Sequence, residues 1–307
     1  FTELFYNVLM PIILHLQGGL GNQLFQYAAA KALATHHKLE LVLDDSWFIS
    51  TPRGLTPRQL MLNALNIPEK CSTYRKFLPR NRLLQKLILF FPRFNESILY
   101  ESNPFSYDGS LFDAVLSPER KYFLIGYWQS FKYFEHIRST LQKTLKPRSQ
   151  LSTHYDNFLK KIKTTDSVML HIRRGDYVTL KSASSLHGAI PLSYYLKSMA
   201  QILKWHPQAH FFVFSDDIKW ALDNLPKEYS LTFVHSETGK EDSVISELCL
   251  MTQCKHHIIA NSSLSWWGAW LSDEDCDQKV ITPSRWVNKI EVNLCDLIPP
   301  AWVKISP

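Results

Sequence analysis

The sequence predicts an α/β protein built around parallel β-sheets, and two observations carry this prediction. A strand, a glycine-rich turn, a helix and a second strand follow one another within residues 11–45, and from Thr165 onward short apolar segments alternate with helical patterns. Such alternation normally builds a parallel sheet with helices on its faces. The chain has 307 residues, of which 45% are hydrophobic, and this is enough for one large or two medium domains.

The first predicted strand, PIILHL, leads into the turn GGLGNQ and a helix with Asn22 as its N-cap. Apolar residues then recur at helical spacing from Leu24 to Leu33, and LELVLDD forms the next strand. The turn shares glycines with dinucleotide-binding loops but lacks the later glycine of GxGxxG, and the chain has no Walker loop. The pattern alone leaves open whether this turn cradles a phosphate or only closes tightly.

Residues 51–120 are less regular and contain seven prolines, so they predict helices and loops that elaborate the first domain. The segment RKYFLIGYWQSFKYFEHI at 120–137 returns to a strand and a helix, and KPRSQ at 146–150 is typical of a hinge or loop.

The second half predicts the strands SVMLHI, HFFVFS, LTFVHS, HHIIAN and KVITP, separated by helices. Ligands of open parallel sheets bind beyond the carboxyl ends of the strands, so polar residues at those ends are expected to share one rim. These residues are Arg173, Arg174 and Asp176, then Ser215, Asp216 and Asp217, then Ser236 and Glu237, and finally Asn261, Ser262 and Ser263.

The segment HIRRGDY (171–177) places two arginines after a buried strand. Guanidinium groups bind phosphate oxygens bidentately, and neighbouring side chains on an extended segment diverge. One arginine is therefore expected to meet an anionic ligand, while the other braces the loop through Asp176 or a helix C-terminus. A surface ion-pair cluster is the alternative.

The segment ANSSLSWWGAWL places Asn261, Ser262 and Ser263 at a strand end that opens a helix. This arrangement predicts either phosphate binding at a helix N-terminus or simple N-capping. We interpret the tryptophans of the helix as core packing rather than a sugar-stacking surface.

The paired carboxylates in FSDD (214–217) could bind a metal, bind a ribose or cap a helix. Glu247, in the following helix, could reach a ribose or a base. No nearby residues complete a metal shell, and HHIIAN is better explained as a buried strand than as a metal site. We therefore expect no bound metal.

Charge and cysteine content narrow the possible ligands and compartment. The net charge of +6 suits an anionic ligand such as a nucleotide, and no basic run is long enough to favour nucleic acid. The basic cluster Arg75–Arg93 is interpreted first as a solvated helix face and second as a membrane-surface patch. Five cysteines without a CxxC pair predict free thiols in a reducing compartment.

Six segments, in one order between residues 17 and 271, resemble the α-1,2-fucosyltransferases of glycosyltransferase family 11. They are GGLGNQLFQYAAAKALA, GYWQSFKYF, LHIRRGDY, LHGAIPLSYY, FSDD and CKHHIIANSSLSWWGAWL. The Arg-Arg-Gly-Asp element is similar to the HxRRxD-type motif of α-1,6- and protein O-fucosyltransferases.

This resemblance implies a GT-B architecture of two Rossmann-like domains with parallel sheets that face a central cleft. Residues 1–164 would form the acceptor-side domain and residues 165–307 the nucleotide-sugar domain. The implied reaction is inverting, metal-independent transfer of L-fucose from GDP-β-L-fucose to the 2-hydroxyl of a galactose-containing acceptor. That acceptor would be a galactoside oligosaccharide or a lipid-linked glycan, chosen by residues 51–120.

The resemblance also implies roles for individual residues. Arg173 would contact the β-phosphate, His171 would position the nucleotide, and Ser262 and Ser263 would meet the diphosphate. Glu247 would approach the ribose or guanine. Further donor contacts are expected from Gly19, Gly21, Asn22 (across the cleft), Gln23, Arg174, Ser215, Asp216, Asp217 and Asn261.

A general base would activate the acceptor hydroxyl, and Asp176 is the first candidate and His187 the second. Three rival functions are a transferase for another nucleotide sugar, a non-catalytic glycan- or nucleotide-binding module, and a membrane-surface scaffold. With no signal or anchor recognisable in the sequence, we expect a bacterial cytoplasmic enzyme that works at the inner membrane face.

Overall fold

A computed structural model describes residues 10–49, 57–74, 96–175, 178, 188–237, 243–273, 277–288 and 292–307. The chain divides into two compact units. The first contains residues 1–63 and 67–144, and the second contains residues 64–66 and 145–307. The α/β class predicted from the sequence is confirmed.

In the first unit, the described strands form a five-stranded sheet in the order β3-β2-β1-β5-β4, and every pair is parallel. Its helices and strands are, in chain order, β1 (Ile12–His15), α1 (Leu20–His37), β2 (Leu41–Asp44), α2 (Ser46–Ile49), β3 (Cys71–Ser72), β4 (Glu96–Tyr100), α3 (Ser110–Asp113), β5 (Lys121–Ile125) and α4 (Arg138–Thr144).

The long helix α1 anchors this unit because most of its circumference is buried, including Leu24, Phe25 and Tyr27. The helix begins at Leu20 with Gly19 as its N-cap, so the prediction that Asn22 caps it is wrong. Gly18 adopts φ +80°, which turns the chain early, and the amides of Asn22 and Gln23 both donate to the Gly19 carbonyl. This left-handed backbone favours glycine.

After β5, the predicted single helix is replaced by two 3₁₀ turns at Phe131–Tyr133 and Glu135–Ile137, which lead directly into α4. Between β5 and these turns, Trp128 adopts the left-handed backbone conformation, with φ +57°. Such residues are often found at functional sites.

In the second unit, the described strands form a six-stranded sheet in the order β11-β10-β9-β6-β7-β8, again wholly parallel. Its helices and strands are α5 (Thr153–Thr164), β6 (Ser167–Ile172), α6 (Leu192–Trp205), β7 (His210–Ser215), α7 (Ile218–Asn224), β8 (Leu231–Phe233), α8 (Ser243–Thr252), β9 (His256–Ile258), α9 (Ser263–Trp270), β10 (Val280–Pro283) and β11 (Val303–Ile305).

The second unit begins earlier than the sequence-based division after residue 164. Helix α5 is amphipathic and places Tyr155 and Ile162 in the interior of the second unit. Leu65 forms a β-bridge with Pro147, and this bridge joins residues 64–66 to the start of the same unit.

Helix α9 packs as the sequence predicts. Trp266, Trp267 and Trp270 are buried, and the Trp266 indole N–H donates to the Leu297 carbonyl at 2.9 Å. These tryptophans are therefore core residues and offer no sugar-stacking surface. No helix in the described part of the chain combines the length and the apolar character needed to cross a membrane.

Candidate functional site

In each sheet the predicted ligand-binding loops follow two adjacent strands, and in the second sheet the strand order reverses there. The second sheet has the order β8-β7-β6-β9-β10-β11, which is the doubly wound order. The direction in which successive strands are added reverses between β6 and β9. In the first sheet β1 and β5 are neighbours, so the turns that follow them lie side by side. Ligands of open α/β sheets bind outside the carboxyl ends of the strands where the strand order reverses.

Arg173 and Arg174 directly follow β6 and are oriented by the two carboxylates that follow β7. The Arg173 guanidinium contacts Asp216 Oδ2 at 2.9 Å, and Arg174 Nε contacts Asp217 Oδ2 at 3.3 Å. The Arg174 guanidinium also lies 4.1 Å from the centre of the Trp220 ring, within the range of a cation–π interaction. Both arginines are partly exposed, so they remain accessible to an anion.

Asp216 and Asp217 thus hold the arginine loop, a role that the sequence did not distinguish from metal or ribose binding. Asp216 Oδ1 accepts the Arg174 amide at 2.8 Å, and Asp217 caps α7 by accepting the Trp220 amide at 3.1 Å. A side-chain carbon added to Gly175 would lie 2.6 Å from Asp216 Oδ2, so the glycine gives the carboxylate room. Ser215 accepts the Asp217 amide and stabilises the same turn.

The bracing partner of the arginines was predicted to be Asp176 or a helix C-terminus. Among the described residues Asp216 and Asp217 form these ion pairs, and bracing by Asp176 stays a prediction. Asp176 and His187 lie outside the described residues, so their assignment as general-base candidates stays a prediction.

His171 lies in β6 beside this loop and is almost fully buried. Burial, together with the nearby Arg173 charge, lowers its pKa to about 4, so the imidazole is neutral at pH 7. Its Nδ1 has no hydrogen-bond partner among the described residues.

The start of α9 follows β9, the strand next to β6. Ser262 is the N-cap residue, but its side chain makes no capping hydrogen bond, which weakens the interpretation as a simple cap. The first amides of a helix lack intrahelical partners and lie at the positive end of its dipole. Asn261, by contrast, is buried and donates to the carbonyls of Gly188 and Trp286, so it ties two loops together.

Glu247 lies in α8, and its Oε1 accepts the Ser236 hydroxyl at 2.5 Å. Burial raises the pKa of this carboxyl. The hydrogen bond joins the polar residue after β8 to α8, as expected if both lie on one rim.

In the first unit, Asn22 and Gln23 have different environments. Asn22 is half-buried, and its Oδ1 accepts Gln129 Nε2 at 2.8 Å. Gln23 is fully buried, and its amide bonds to Gly18 O, Gln59 O and Met61 N. These bonds engage the Gln23 side chain in holding the turn, and its contact with the donor stays a prediction.

Gly19 and Gly21 also differ. Gly21 is buried within α1, whereas a side-chain carbon added to Gly19 would have no described atom within 4 Å. Since φ at Gly19 is −77°, neither backbone conformation nor packing requires glycine there. This open space at a helix start is suited to the approach of a ligand.

Sequence reasoning missed Glu101 and Gln129. Glu101 follows β4, and its carboxylate accepts the backbone amides of Tyr127 and Trp128, both at 2.8 Å. It thereby holds the turn after β5 that presents Gln129 to Asn22. The segment GYWQ was the available signal, because it follows a strand and carries aromatic and amide side chains.

One group of described residues has the composition of a metal site, namely Asp166, His206 and His256. The Lys279 amide donates to His256 Nδ1, so the proton of the neutral ring is on Nε2, the nitrogen that faces Asp166. While Nδ1 accepts the Lys279 amide, Nε2 of the neutral His256 ring carries the proton and has no lone pair for a metal ion. The group also lies at the amino ends of β6 and β9, opposite the arginine loop.

The profile of Glycosyl transferase family 11 matches residues 11–305. The chain belongs to glycosyltransferase family 11. Accordingly, it is a glycosyltransferase of the fucosyltransferase type with a GT-B class fold.

Two relatives of this family 11 chain come from Escherichia coli. One, the O-antigen biosynthesis glycosyltransferase WbnK, is 32% identical over 88% of this chain and 93% of its own. The other, an alpha-1,2-colitosyltransferase, is 33% identical over 96% of this chain and 99% of its own.

Among solved structures, the fold is similar to that of the fucosyltransferase NodZ from Bradyrhizobium. The TM-score is 0.51 with 15% identity, and the match covers 86% of this chain and 93% of NodZ. A second structure of NodZ, an alpha-1,6-fucosyltransferase, was soaked with GDP-fucose.

Proposed function

We propose that this family 11 enzyme transfers L-fucose from GDP-β-L-fucose to the 2-hydroxyl of a galactose-containing acceptor, with inversion and without a metal ion. The observation that carries the proposal is the position of Arg173 and the α9 N-terminus after two adjacent strands, β6 and β9. Together they offer a guanidinium and helix amides, which are suited to a diphosphate.

The position of Arg173 is suited to stabilising the leaving group. As the bond between fucose C1 and the β-phosphate oxygen breaks, negative charge grows on the diphosphate while the sugar gains oxocarbenium character. Arg173 is held in place by Asp216 at 2.9 Å, so its charge is positioned before the reaction begins. Fixed donors of this kind stabilise developing charge effectively because little reorganisation is needed.

The donor and acceptor are supported in different ways. The GDP-fucose soak of NodZ supports the donor, and the α-1,2 specificity of the colitosyltransferase supports attack by a 2-hydroxyl. The O-antigen role of WbnK supports an oligosaccharide acceptor. The galactose unit rests on the sequence resemblance described above.

GDP-colitose is the second candidate donor, because the colitosyltransferase is 33% identical over nearly the whole chain. Colitose lacks the 3-hydroxyl of fucose. We expect the purified enzyme to release GDP from GDP-fucose in the presence of lactose, to add one fucose to the lactose, and to keep this activity in EDTA. Preference for GDP-colitose would overturn the donor assignment, and loss of activity in EDTA would overturn metal independence.

Replacing Arg173 tests the role of the arginine loop. Arg173→Ala is expected to lower kcat by about 10²–10³-fold, as removal of one charge-stabilising donor does in other enzymes. Arg120→Ala is the matched control, because that arginine is exposed and donates to Ser97 in the first unit. Near-normal turnover of a folded Arg173→Ala enzyme would contradict the assignment.

A further inference from the structure

A cavity of about 210 Å³ opens in the first unit at the carboxyl ends of β4 and β5. Its lining includes Glu101, Asn103, Tyr107, Asp108 and Trp128. Pockets for drug-sized ligands measure about 300–1,000 Å³, so this one has room for a single small ring rather than an oligosaccharide.

The chemistry of the lining favours a neutral, polyhydroxylated ligand. Glu101 and Asp108 are carboxylates, Asn103 supplies an amide, and no lysine or arginine is among the lining residues. A diphosphate would be repelled by this lining. Carboxylates accept hydrogen bonds from sugar hydroxyl groups, amides both accept and donate them, and aromatic faces pack against the apolar face of a sugar.

The aromatic wall of the cavity is held in a fixed geometry. The Tyr107 and Tyr133 rings lie 4.9 Å apart, and the Trp128 ring meets Tyr133 edge to face at 5.8 Å. The Tyr133 hydroxyl donates to Ser106 O and accepts the Asp108 amide, so it fixes the loop that carries Tyr107. A pre-formed wall lowers the entropic cost of binding.

Two polar groups of the lining, the Trp128 indole N–H and Asp108 Oδ2, could form hydrogen bonds with a ligand. The Trp128 side chain is buried, and its indole N–H has no hydrogen-bond partner among the described residues. Burying such a donor without a partner is costly, so a ligand oxygen at this wall would gain a favourable bond. Asp108 uses Oδ1 to accept the amide and hydroxyl of Ser110, and its Oδ2 makes no described hydrogen bond.

The cavity shares Glu101 with the turn after β5, which contacts Asn22 in α1. Glu101 lines it and also binds the backbone of Tyr127 and Trp128, and the next residue, Gln129, binds Asn22. The cavity and the Gly18–Gly19 turn therefore lie at the same edge of the first sheet.

We propose that this cavity is the acceptor subsite and holds one hexose ring of the galactoside, packed against Tyr107 and hydrogen-bonded to Asp108. This inference rests on the proposed function, because it assumes that a glycan is the second substrate.

The test compares two cavity variants with a matched control. Tyr107→Leu keeps apolar volume but removes the aromatic ring. Asp108→Asn keeps an oxygen that can accept the Ser110 amide but removes the negative charge. Tyr100→Leu is the control, since Tyr100 is 64% exposed and does not line the cavity. Thermal unfolding checks that each variant folds.

Two measurements decide the outcome. Saturation-transfer NMR with methyl β-D-galactoside measures sugar binding without donor, and steady-state kinetics separates the KM for lactose from that for GDP-fucose. We expect Asp108→Asn to weaken sugar binding and raise the lactose KM at least about tenfold, the loss typical of a hydrogen bond to a charged group. For Tyr107→Leu we expect about a five- to tenfold effect. The GDP-fucose KM should stay within twofold.

Sugar affinity and lactose KM that remain within twofold of wild type in both variants would overturn the subsite. So would a loss of GDP affinity with sugar binding intact, which would make the cavity a nucleotide pocket. If wild type binds the galactoside through these residues but transfers no fucose, the proposed function fails while the subsite stands.

Discussion

At the residue scale, the two glycines that begin the GGLGN turn have different reasons to be glycine. Gly18 needs its φ of +80°, whereas Gly19 has an ordinary φ of −77° and open space where a side chain would be. The first glycine therefore serves the fold, and the second keeps a surface clear beside the α1 N-terminus.

Paired alanine substitutions separate these two roles. Gly18→Ala should lower the free energy of unfolding by about 1–2 kcal/mol, the cost of a left-handed conformation for a residue with a side chain. Gly19→Ala should cost less than about 1 kcal/mol, because alanine is a poorer N-cap than glycine, but should reduce fucose transfer at least severalfold, because its methyl group fills the open space. Urea denaturation and the transfer assay measure the two effects, and full activity of Gly19→Ala would show that no substrate uses that space.

At the scale of elements, the turn after β5 depends on one carboxylate. Glu101 accepts the amides of Tyr127 and Trp128, although burial raises its pKa and so disfavours its charge. Gly126 permits this arrangement, because a side-chain carbon there would collide with Glu101. The carboxylate thus sets the conformation of the turn that reaches Asn22.

Glu101→Gln tests this dependence, because each carboxylate oxygen accepts one of two amides, whereas glutamine has only one acceptor oxygen. We expect the first unit to lose about 1–3 kcal/mol of stability, the cost of leaving buried polar groups unsatisfied. Glu119→Gln makes the same change at an exposed position and should have no effect. Equal unfolding midpoints for the two variants in urea would contradict this role.

The structure also shows which parts of the site the sequence could and could not predict. Strand ends are encoded locally, so the positions of Arg173 and Ser262 after β6 and β9 could be predicted. The partners of Asp216 and Asp217 depend on which strands become neighbours, and residues 173–174 and 216–217 are far apart in the chain. Glu101 was missed for the same reason, because its partners come from another strand.

At the scale of the whole molecule, two buried histidines should make the stability of the second unit depend on pH. Burial lowers the pKa of both His171 and His257 to about 4, below the value of about 6.5 of an unfolded chain. Between these values the unfolded state binds protons that the native state does not. The contribution of these two histidines to stability is therefore fully present above pH 6.5 and is lost as the pH falls toward 4.

Replacing one histidine should weaken this dependence. In His257→Gln the amide can still donate to the Met251 carbonyl, as His257 Nε2 does at 3.0 Å. Between pH 6.5 and 4, we expect the slope of unfolding free energy against pH to be smaller than in wild type by up to about 1.4 kcal/mol per pH unit. Parallel wild-type and variant curves in urea titrations would show that His257 does not titrate in this way.

NMR of the reaction product decides whether the enzyme is, as we propose, an inverting α-1,2-fucosyltransferase. The enzyme is incubated with GDP-β-L-fucose and methyl β-D-galactoside, and the purified product is analysed for its anomeric coupling and its inter-residue correlations. We expect an α-fucosyl residue linked to O2 of galactose. A β-linked product, or attachment at another hydroxyl, would contradict the account.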